Sequence, residues 1–267
     1  MGLLSPEESR RPSVTIPRIY LPHTIETGSL CKVTADQARY LSTILRMKQG
    51  DPLRIFNGTG WEYKALIRRQ TAEGIELTIT EQVAAPAPEI HITLCQAIPK
   101  AEKMDGIIRH ATELGVERII PFFAARSIPH WASERLPHKQ QRWQKIAVEA
   151  SRQCGRSDIP AIGEIATFAR MLRAVPESGL RLIPWEEETT TGISAVLRDP
   201  AWSRMKGFIL VIGPEGGFSA EEIELARRAG FLSVSLGKRV LRVETASLAL
   251  LAILQYEIGA RETGSTA

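Results

Sequence analysis

The chain has 267 residues, of which 43% are hydrophobic and 24% charged, with a net charge of +4. That balance suits a soluble globular protein of one large or two small domains, large enough to bury a core without staples. Three scattered cysteines (Cys31, Cys95, Cys154) exclude a disulfide framework, and no apolar run reaches the roughly 20 residues of a membrane span.

The opening "MGLLSPEESRRPSVT" has no apolar core of the signal-peptide kind and reads as a disordered lead, residues 1–16, of a cytoplasmic protein. Residues 17–85 read as β-rich. "RIYL", "SLCKV", "PLRIFNG", "WEYKALIRR" and "GIELTITEQV" are short β-branched or aromatic runs broken by Gly, Asp and Asn. One helix interrupts them in "TADQARYLSTILRM", capped by Thr34, with Ala38, Leu41, Ile44 and Leu45 as its apolar stripe. Several short strands and one helix suggest a small barrel. "AAPAPE", residues 84–89, is the best boundary in the chain.

From residue 90 the pattern becomes strand-helix alternation. "IHITLCQAI" is a continuous apolar strand. The next helix turns Met104, Ile107, Ile108, Ala111 and Leu114 to one face and stops at Gly115. "ERIIPFF" is a strand. A longer helix follows with Trp143, Ile146, Ala147, Ala150 and Cys154 inward, stopped by Gly155. "RLIPW", "GFILVIG" and "LSVSLG" are further strands, and a last helix starts near Thr245. Such alternation implies a mostly parallel sheet covered on both faces. Between Arg118 and Arg156 eight Lys/Arg face two acids, a basic concentration of the sort that attracts nucleic acid or, more plainly, a solvated helix face. Five histidines show no metal-ligand spacing, so no metal is expected.

"VIGPEGGFSAEEIELARRAG", residues 211–230, has the layout of a ligand-binding turn. An apolar strand ends in Gly213 and Pro214, and Ser219 with Glu222 forms a capping box that starts a helix. Gly216 and Gly217 permit positive φ and close approach of a ligand. A Walker loop would need a Lys that is missing, and a dinucleotide fingerprint would need other spacing. Glu215 at the turn's centre would repel a pyrophosphate. A ligand with a cationic end and no phosphate, such as S-adenosylmethionine, fits; so does a plain turn with Glu215 solvated. A second turn, "SLGKRVLRVETASLALLAILQ", ends another strand in Gly237. With "LIPWEE", three strand ends then converge where open α/β sheets bind ligands.

These two motifs, with "QAIPKAEKMDGIIRHATELGV", "ERIIPFFAARS" and "RWQKIAVEASRQCGRSDIP", resemble the RsmE-type 16S ribosomal RNA (uracil-N3)-methyltransferases of the SPOUT superfamily. The likeness runs over residues 17–258. It departs at Val243, where the family commonly has Thr, and at His110, where Lys is usual. The resemblance implies an α/β fold with two domains: a PUA-like β-barrel at 17–85 that binds RNA, and a methyltransferase domain at 90–262 with a deep trefoil knot. It further implies a homodimer and S-adenosylmethionine as cofactor. The partner it implies is 16S rRNA within the assembled small ribosomal subunit. The nearly all-round apolar "ASLALLAIL" suits a helix buried on two sides.

On this reading the cofactor is held around Ile212, Gly213, Pro214, Glu215, Gly216, Gly217, Leu236, Gly237, Val240, Leu241 and Thr245. Glu215 either answers the sulfonium or braces the loop. Arg242 stabilises the uracil oxyanion, and Glu244 accepts the N3 proton or orients that arginine. RNA contacts are expected from Arg18, Arg46 and Lys64 in the barrel, and from Lys100, Lys103, Arg109, Arg126, Arg152 and Arg156 beyond it. Arg152 and Arg156 also suit a helix C-terminus by charge alone. A non-catalytic RNA-binding factor and a nucleotide-dependent oxidoreductase are the rival readings. The first is opposed by the intact loops. The second is opposed by "CQAIPKAEK", which has no glycine after the first strand of the α/β region.

Overall fold

The computed structural model describes residues 16–71, 74–85, 88, 90–128, 131, 133–202 and 205–264. The expected disordered lead lies, apart from Ile16, outside the described residues. The chain divides into two compact units, Met1–Ala85 and Pro86–Ala267.

The first unit is a five-stranded sheet. Its strands are β1 (Arg18–Tyr20), β2 (Leu30–Lys32), β3 (Pro52–Phe56), β4 (Trp61–Thr71) and β5 (Gly74–Ala84), in the order β1-β3-β4-β5-β2. β1 runs parallel to β3, and the other pairs are antiparallel. Alternation along β4 and β5 sends Tyr63, Ala65, Ile67, Ile75, Leu77 and Ile79 inward. Ile19 and Cys31, from the two edge strands, belong to that same core, so the sheet wraps one interior. Helix α1 (Ala35–Arg39) starts at Thr34, whose hydroxyl accepts from Gln37 N while Gln37 Oε1 accepts from Thr34 N.

The expected apolar stripe of this helix is only half realised. Residues Tyr40–Ile44 widen into a π-helical turn, with Leu45 N donating to Tyr40 O at 3.0 Å. Leu41 is buried, but Ile44 is 66% exposed and Leu45 also faces solvent. The wider turn rotates each later side chain away from the position a 3.6-residue repeat assigns it.

The second unit is a parallel sheet of β6 (His91–Ala97), β7 (Arg118–Phe123), β8 (Ala161–Ile162), β9 (Ala166–Thr167), β10 (Leu180–Pro184), β11 (Gly207–Ile212) and β12 (Leu232–Val234). The order is β12-β10-β11-β6-β7-β8, and β9 also pairs with β7. One face carries α2 (Lys103–Glu113), α3 (Leu136–Cys154), α5 (Ile193–Arg198) and α7 (Val243–Gly264). There Met104, Ile108, Trp143, Leu197, Leu250 and Leu254 pack on Ile92, Leu94, Leu210 and Ile212. The other face carries α4 (Phe168–Ala174) and α6 (Ala220–Arg228), with Phe168, Met171 and Ile223 on Cys95, Ala97 and Val211. Even and odd positions of β6 thus feed opposite cores, the reason its sequence is an unbroken apolar run.

One expectation shifts here. Cys154 is exposed, and Ser151 is buried in the last turn of α3 instead. Periodicity gives the inward face of a helix but not how far along it the neighbouring layer extends. On α7 the inward residues are Ser247, Leu250, Leu251, Leu254 and Ile258, whereas Leu248 and Tyr256 are exposed on the opposite side.

Candidate functional site

The chain leaves β11 and crosses over β10 to reach β12, so three strand ends open side by side. They bound a cleft of about 700 Å³, counted out to its mouth. Pro184, Trp185 and Glu186 line it from β10. Ile212, Gly213, Pro214, Gly217 and Phe218 line it after β11, and Ser235 to Leu241, with Val243 and Ala246, close it.

The turn after β11 is closed by Gly217 N donating to Pro214 O at 2.9 Å, and Gly217 has φ +67. A Cβ on Gly217 would stand 2.0 Å from Glu186 Oε1, and one on Gly216 would stand 2.9 Å from Arg126 Cβ. The glycines therefore let the neighbouring chain close on the turn. Arg126 completes this by donating to Gly216 O at 3.0 Å. Ser219 and Glu222 form the expected capping box. Glu222 Oε1 also accepts from Ala125 N at 2.8 Å, anchoring the helix start to the loop after β7.

Glu215 does not line the cleft. Its carboxylate accepts from Lys100 N at 3.2 Å to each oxygen and from Lys103 Nζ at 2.9 Å. Burial works to raise this carboxyl, but the Lys103 hydrogen bond, backbone N–H donors and the ammonium charge together hold it below the ordinary value. The carboxylate on the cleft wall is Glu186, which the sequence placed only within a strand end. Behind it, Glu188 accepts from Ser233 Oγ at 2.5 Å, from Thr190 N at 2.9 Å and Oγ1 at 2.6 Å, and from Thr191 N at 3.1 Å. The Ser233 and Thr190 hydroxyls and the backbone donors pull its carboxyl down to about 2.

Of the residues expected at the cofactor, Ile212, Gly213, Pro214, Gly217, Leu236, Gly237, Val240 and Leu241 line the cleft, while Glu215, Gly216 and Thr245 do not. Arg242 is exposed just beyond Leu241, and its guanidinium makes no ion pair among the described residues. Glu244 is drawn to Lys103, with Oε2 3.4 Å from Nζ, and not to Arg242.

The basic residues sort by partner. Arg18 lies on the Phe56 ring and donates to Glu62 at 2.6 Å, with its side chain 10% exposed. Lys64 pairs with Glu81 in solvent, and Arg152 pairs with Glu149. Arg156 is committed to Asp158, to Thr112 O at 2.7 Å and to Val116 O at 2.9 Å. Arg46, Lys100 and Arg109 are exposed. Among the described residues no helix is long and apolar enough to cross a membrane, and no His, Cys, Asp and Glu group could hold a metal.

Two family models match the chain: an RNA methyltransferase domain over residues 86–255 and an RNA methyltransferase PUA domain over residues 33–80. The ribosomal RNA small subunit methyltransferase E of Buchnera aphidicola (Schizaphis graminum strain) is 31% identical over 91% of this chain and 97% of its own length. Its counterpart in Bacillus subtilis is 28% identical over 87% of this chain and 92% of its own. Two solved structures superpose with a TM-score of 0.80. One is a putative methyltransferase of Legionella pneumophila with bound SAM, 34% identical, covering 91% of this chain and 98% of that one. The other is the ribosomal RNA small subunit methyltransferase E of Neisseria gonorrhoeae bound to S-adenosyl methionine, 30% identical, covering 90% and 97%. With both of its units matched in order and the glycine turn and following basic loop at its cleft, the chain belongs to the ribosomal RNA small subunit methyltransferase E family.

Proposed function

We propose that this protein transfers a methyl group from S-adenosylmethionine to N3 of a uridine in the decoding region of 16S rRNA. On this reading it works in the cytoplasm as a homodimer on the assembled small subunit, with the chain knotted around the cofactor loops. The observation that carries the reading is the cleft at the ends of β10, β11 and β12. Its wall combines apolar side chains (Trp185, Ile212, Phe218, Leu236, Leu241), the backbone of two glycine turns and the Glu186 carboxylate. That lining fits a molecule with an aromatic base and a cationic centre. Trp185 Nε1 is buried there without an acceptor among the described residues, a donor left for a ligand or a water.

The cofactor supplies an electrophilic methyl group when bound. Ile212, Gly213, Pro214, Gly217, Leu236, Gly237, Val240 and Leu241 would hold it, and Glu215, Gly216 and Thr245 would act through the loops. Holding donor and base in one place supplies much of the acceleration. Arg242, unpaired at the mouth, stabilises negative charge on the uracil carbonyl oxygens as the N3 proton leaves. Glu244, drawn to the Lys103 ammonium, orients the start of α7. Arg46 and Lys64 in the first unit, and Lys100 and Arg109 in the second, are the cations most open to RNA phosphates; Lys103, Arg126 and Arg152 add charge to the second unit, and Arg18 and Arg156 each brace their own unit. The exposed side of α7, with Leu248, Ala252 and Tyr256 at helical spacing, supports pairing with a second copy.

The test is incubation of small subunits, and separately of protein-free 16S rRNA, with labelled S-adenosylmethionine, followed by nucleoside mass analysis. The expected result is N3-methyluridine at one position, formed on subunits in preference to naked RNA. Absence of label from both substrates, with the protein folded, overturns the reading.

A further inference from the structure

We infer that Lys103 is a positioning residue that clamps the glycine turn after β11 to the first turn of α7, one on each side of the cofactor cleft. Its ammonium lies 2.9 Å from Glu215 Oε1 and 3.4 Å from Glu244 Oε2. Glu215 sits between Pro214 and Gly217, which line one side of the cleft, and Glu244 follows Val243, which lines the other. None of the three side chains lines the cleft itself, so they act on a ligand only through the segments that carry them. The inference rests on the proposed cofactor site.

Three observations support a task beyond surface charge. Lys103 is the first residue of α2, the end of a helix where the backbone dipole favours an anion and disfavours an ammonium. Its partners come from 112 and 141 positions away in sequence, and they meet at a side chain only 33% exposed. Glu244 Oε2 is buried and has no hydrogen bond among the described residues, so this ammonium is the charge nearest to it. The Glu215 partnership raises the Lys103 amine above its ordinary value.

Without the ammonium, the carboxylates of the glycine turn and of the α7 start remain close to one another. Like charges at that separation repel, and the relief available is for the turn and the helix start to part. Parting moves Pro214 and Gly217 away from Leu241 and Val243, which widens the cleft without removing any group that touches the ligand. The same loss therefore weakens cofactor binding and shifts the start of α7, and with it Arg242.

The experiment is calorimetric titration of the full chain with S-adenosylhomocysteine. Variants are Lys103→Met, Lys103→Arg, and Lys103→Met combined with Glu244→Gln. Thermal melting without ligand is measured alongside. The expected results are a Kd raised about tenfold in Lys103→Met, a Kd within about threefold of the parent in Lys103→Arg, and recovery towards the parent in the combined variant. Recovery on removing a second native group is the signature of relieved repulsion, and a merely structural lysine would not produce it. An unchanged Kd in Lys103→Met, or a combined variant that binds no more tightly than Lys103→Met, overturns the clamp. If Lys103→Met does not fold, Lys103→Gln is titrated in its place with the same two outcomes. A parent protein that binds no S-adenosylhomocysteine defeats the proposed function itself; a binding parent with indifferent variants defeats only the clamp.

Discussion

The Ser233 hydroxyl donates to Glu188 Oε2 at 2.5 Å, so a strand of the sheet and the loop after its neighbour share one buried carboxylate. Glu188 Oε1 gathers Thr190 and Thr191, and the Arg227 guanidinium stands 3.5 Å from Oε2 while also lying over the Trp185 ring. The cluster fixes the backbone that carries Trp185 and Glu186 into the cleft. Its carboxyl is depressed to about 2 by the Ser233 and Thr190 hydrogen bonds. A depressed folded value means stability that is complete above the ordinary carboxylate range and is lost as pH falls through that range towards 2, by roughly 2–3 kcal/mol in all. Melting between pH 7 and pH 3 should therefore fall more steeply in the parent than in Glu188→Gln, which starts lower because an amide nitrogen cannot accept from Thr190 or Ser233. Parallel melting curves for the two proteins would remove Glu188 from this role.

Gly217 is the position in the glycine turn least able to take a side chain. It combines φ +67 with a Cβ position 2.0 Å from Glu186 Oε1. Glu186 is flexible and would swing away, but the swing moves the one carboxylate of the cleft wall. Gly217→Ala should raise the Kd for S-adenosylhomocysteine by about tenfold or more, with a stability cost of about 1–3 kcal/mol from the left-handed backbone. Gly192 precedes α5 with φ −77, and a Cβ there meets nothing within 4 Å. Gly192→Ala is thus the matched control, expected to leave affinity within about twofold. Equal effects of the two substitutions in the same titration would show that the turn's conformation does not set affinity.

How much of this was legible in the sequence depends on range. Thr34 and Ser219 were legible because a capping box is written within four residues. Met104, Ile107 and Ile108 were legible because periodicity is local. The convergence of "LIPW", "GFILVIG" and "LSVSLG" at one cleft followed from alternation and the rule for parallel sheets. The motif resemblance supplied what periodicity does not, the family and its cofactor. The partners of Glu215 were not legible: a carboxylate inside a glycine turn looks aimed at a ligand until Lys100 and Lys103, more than a hundred residues earlier, are brought against it. Lys103 itself read as one more cation for RNA for the same reason. Glu186 carried no signal of its own beyond its strand end, and the pairing of Glu244 with Lys103 in place of Arg242 depends on side-chain reach across the fold.

Arg156 and Arg109 should separate cleanly, although both were expected at RNA. Arg156 Nη1 donates to Thr112 O in the last turn of α2 and to Val116 O in the segment that follows it. Arg156→Ala should cost about 1–3 kcal/mol of stability, read as a lowered melting temperature, and should leave the salt dependence of RNA binding little changed. Arg109 is exposed. Arg109→Ala should melt with the parent and flatten the slope of log affinity against log salt by about one phosphate contact. The reverse pattern, a stable Arg156→Ala with a flattened slope, would return Arg156 to the RNA surface.

We propose that Arg242 is the residue on which the chemistry turns. It directly follows Leu241 of the cleft wall, its side chain is exposed, and it forms no ion pair among the described residues. A surface arginine with no carboxylate partner keeps its donors for a substrate that arrives with acceptors. An uracil losing its N3 proton spreads charge onto two carbonyl oxygens, and a planar guanidinium answers such a pair of acceptors better than a lysine would. Arg242→Ala should leave S-adenosylhomocysteine binding within about twofold. It should reduce the rate of methyl transfer at saturating cofactor and RNA by about 100-fold, the usual consequence of removing one donor from a developing oxyanion. Arg242→Lys should recover part of that loss. Because deprotonation at N3 becomes easier as pH rises, the Arg242→Ala deficit should also shrink at alkaline pH. A full rate in Arg242→Ala at neutral pH, or a deficit wholly in cofactor affinity, would assign Arg242 to the shape of the loop and leave the uracil oxygens to another donor.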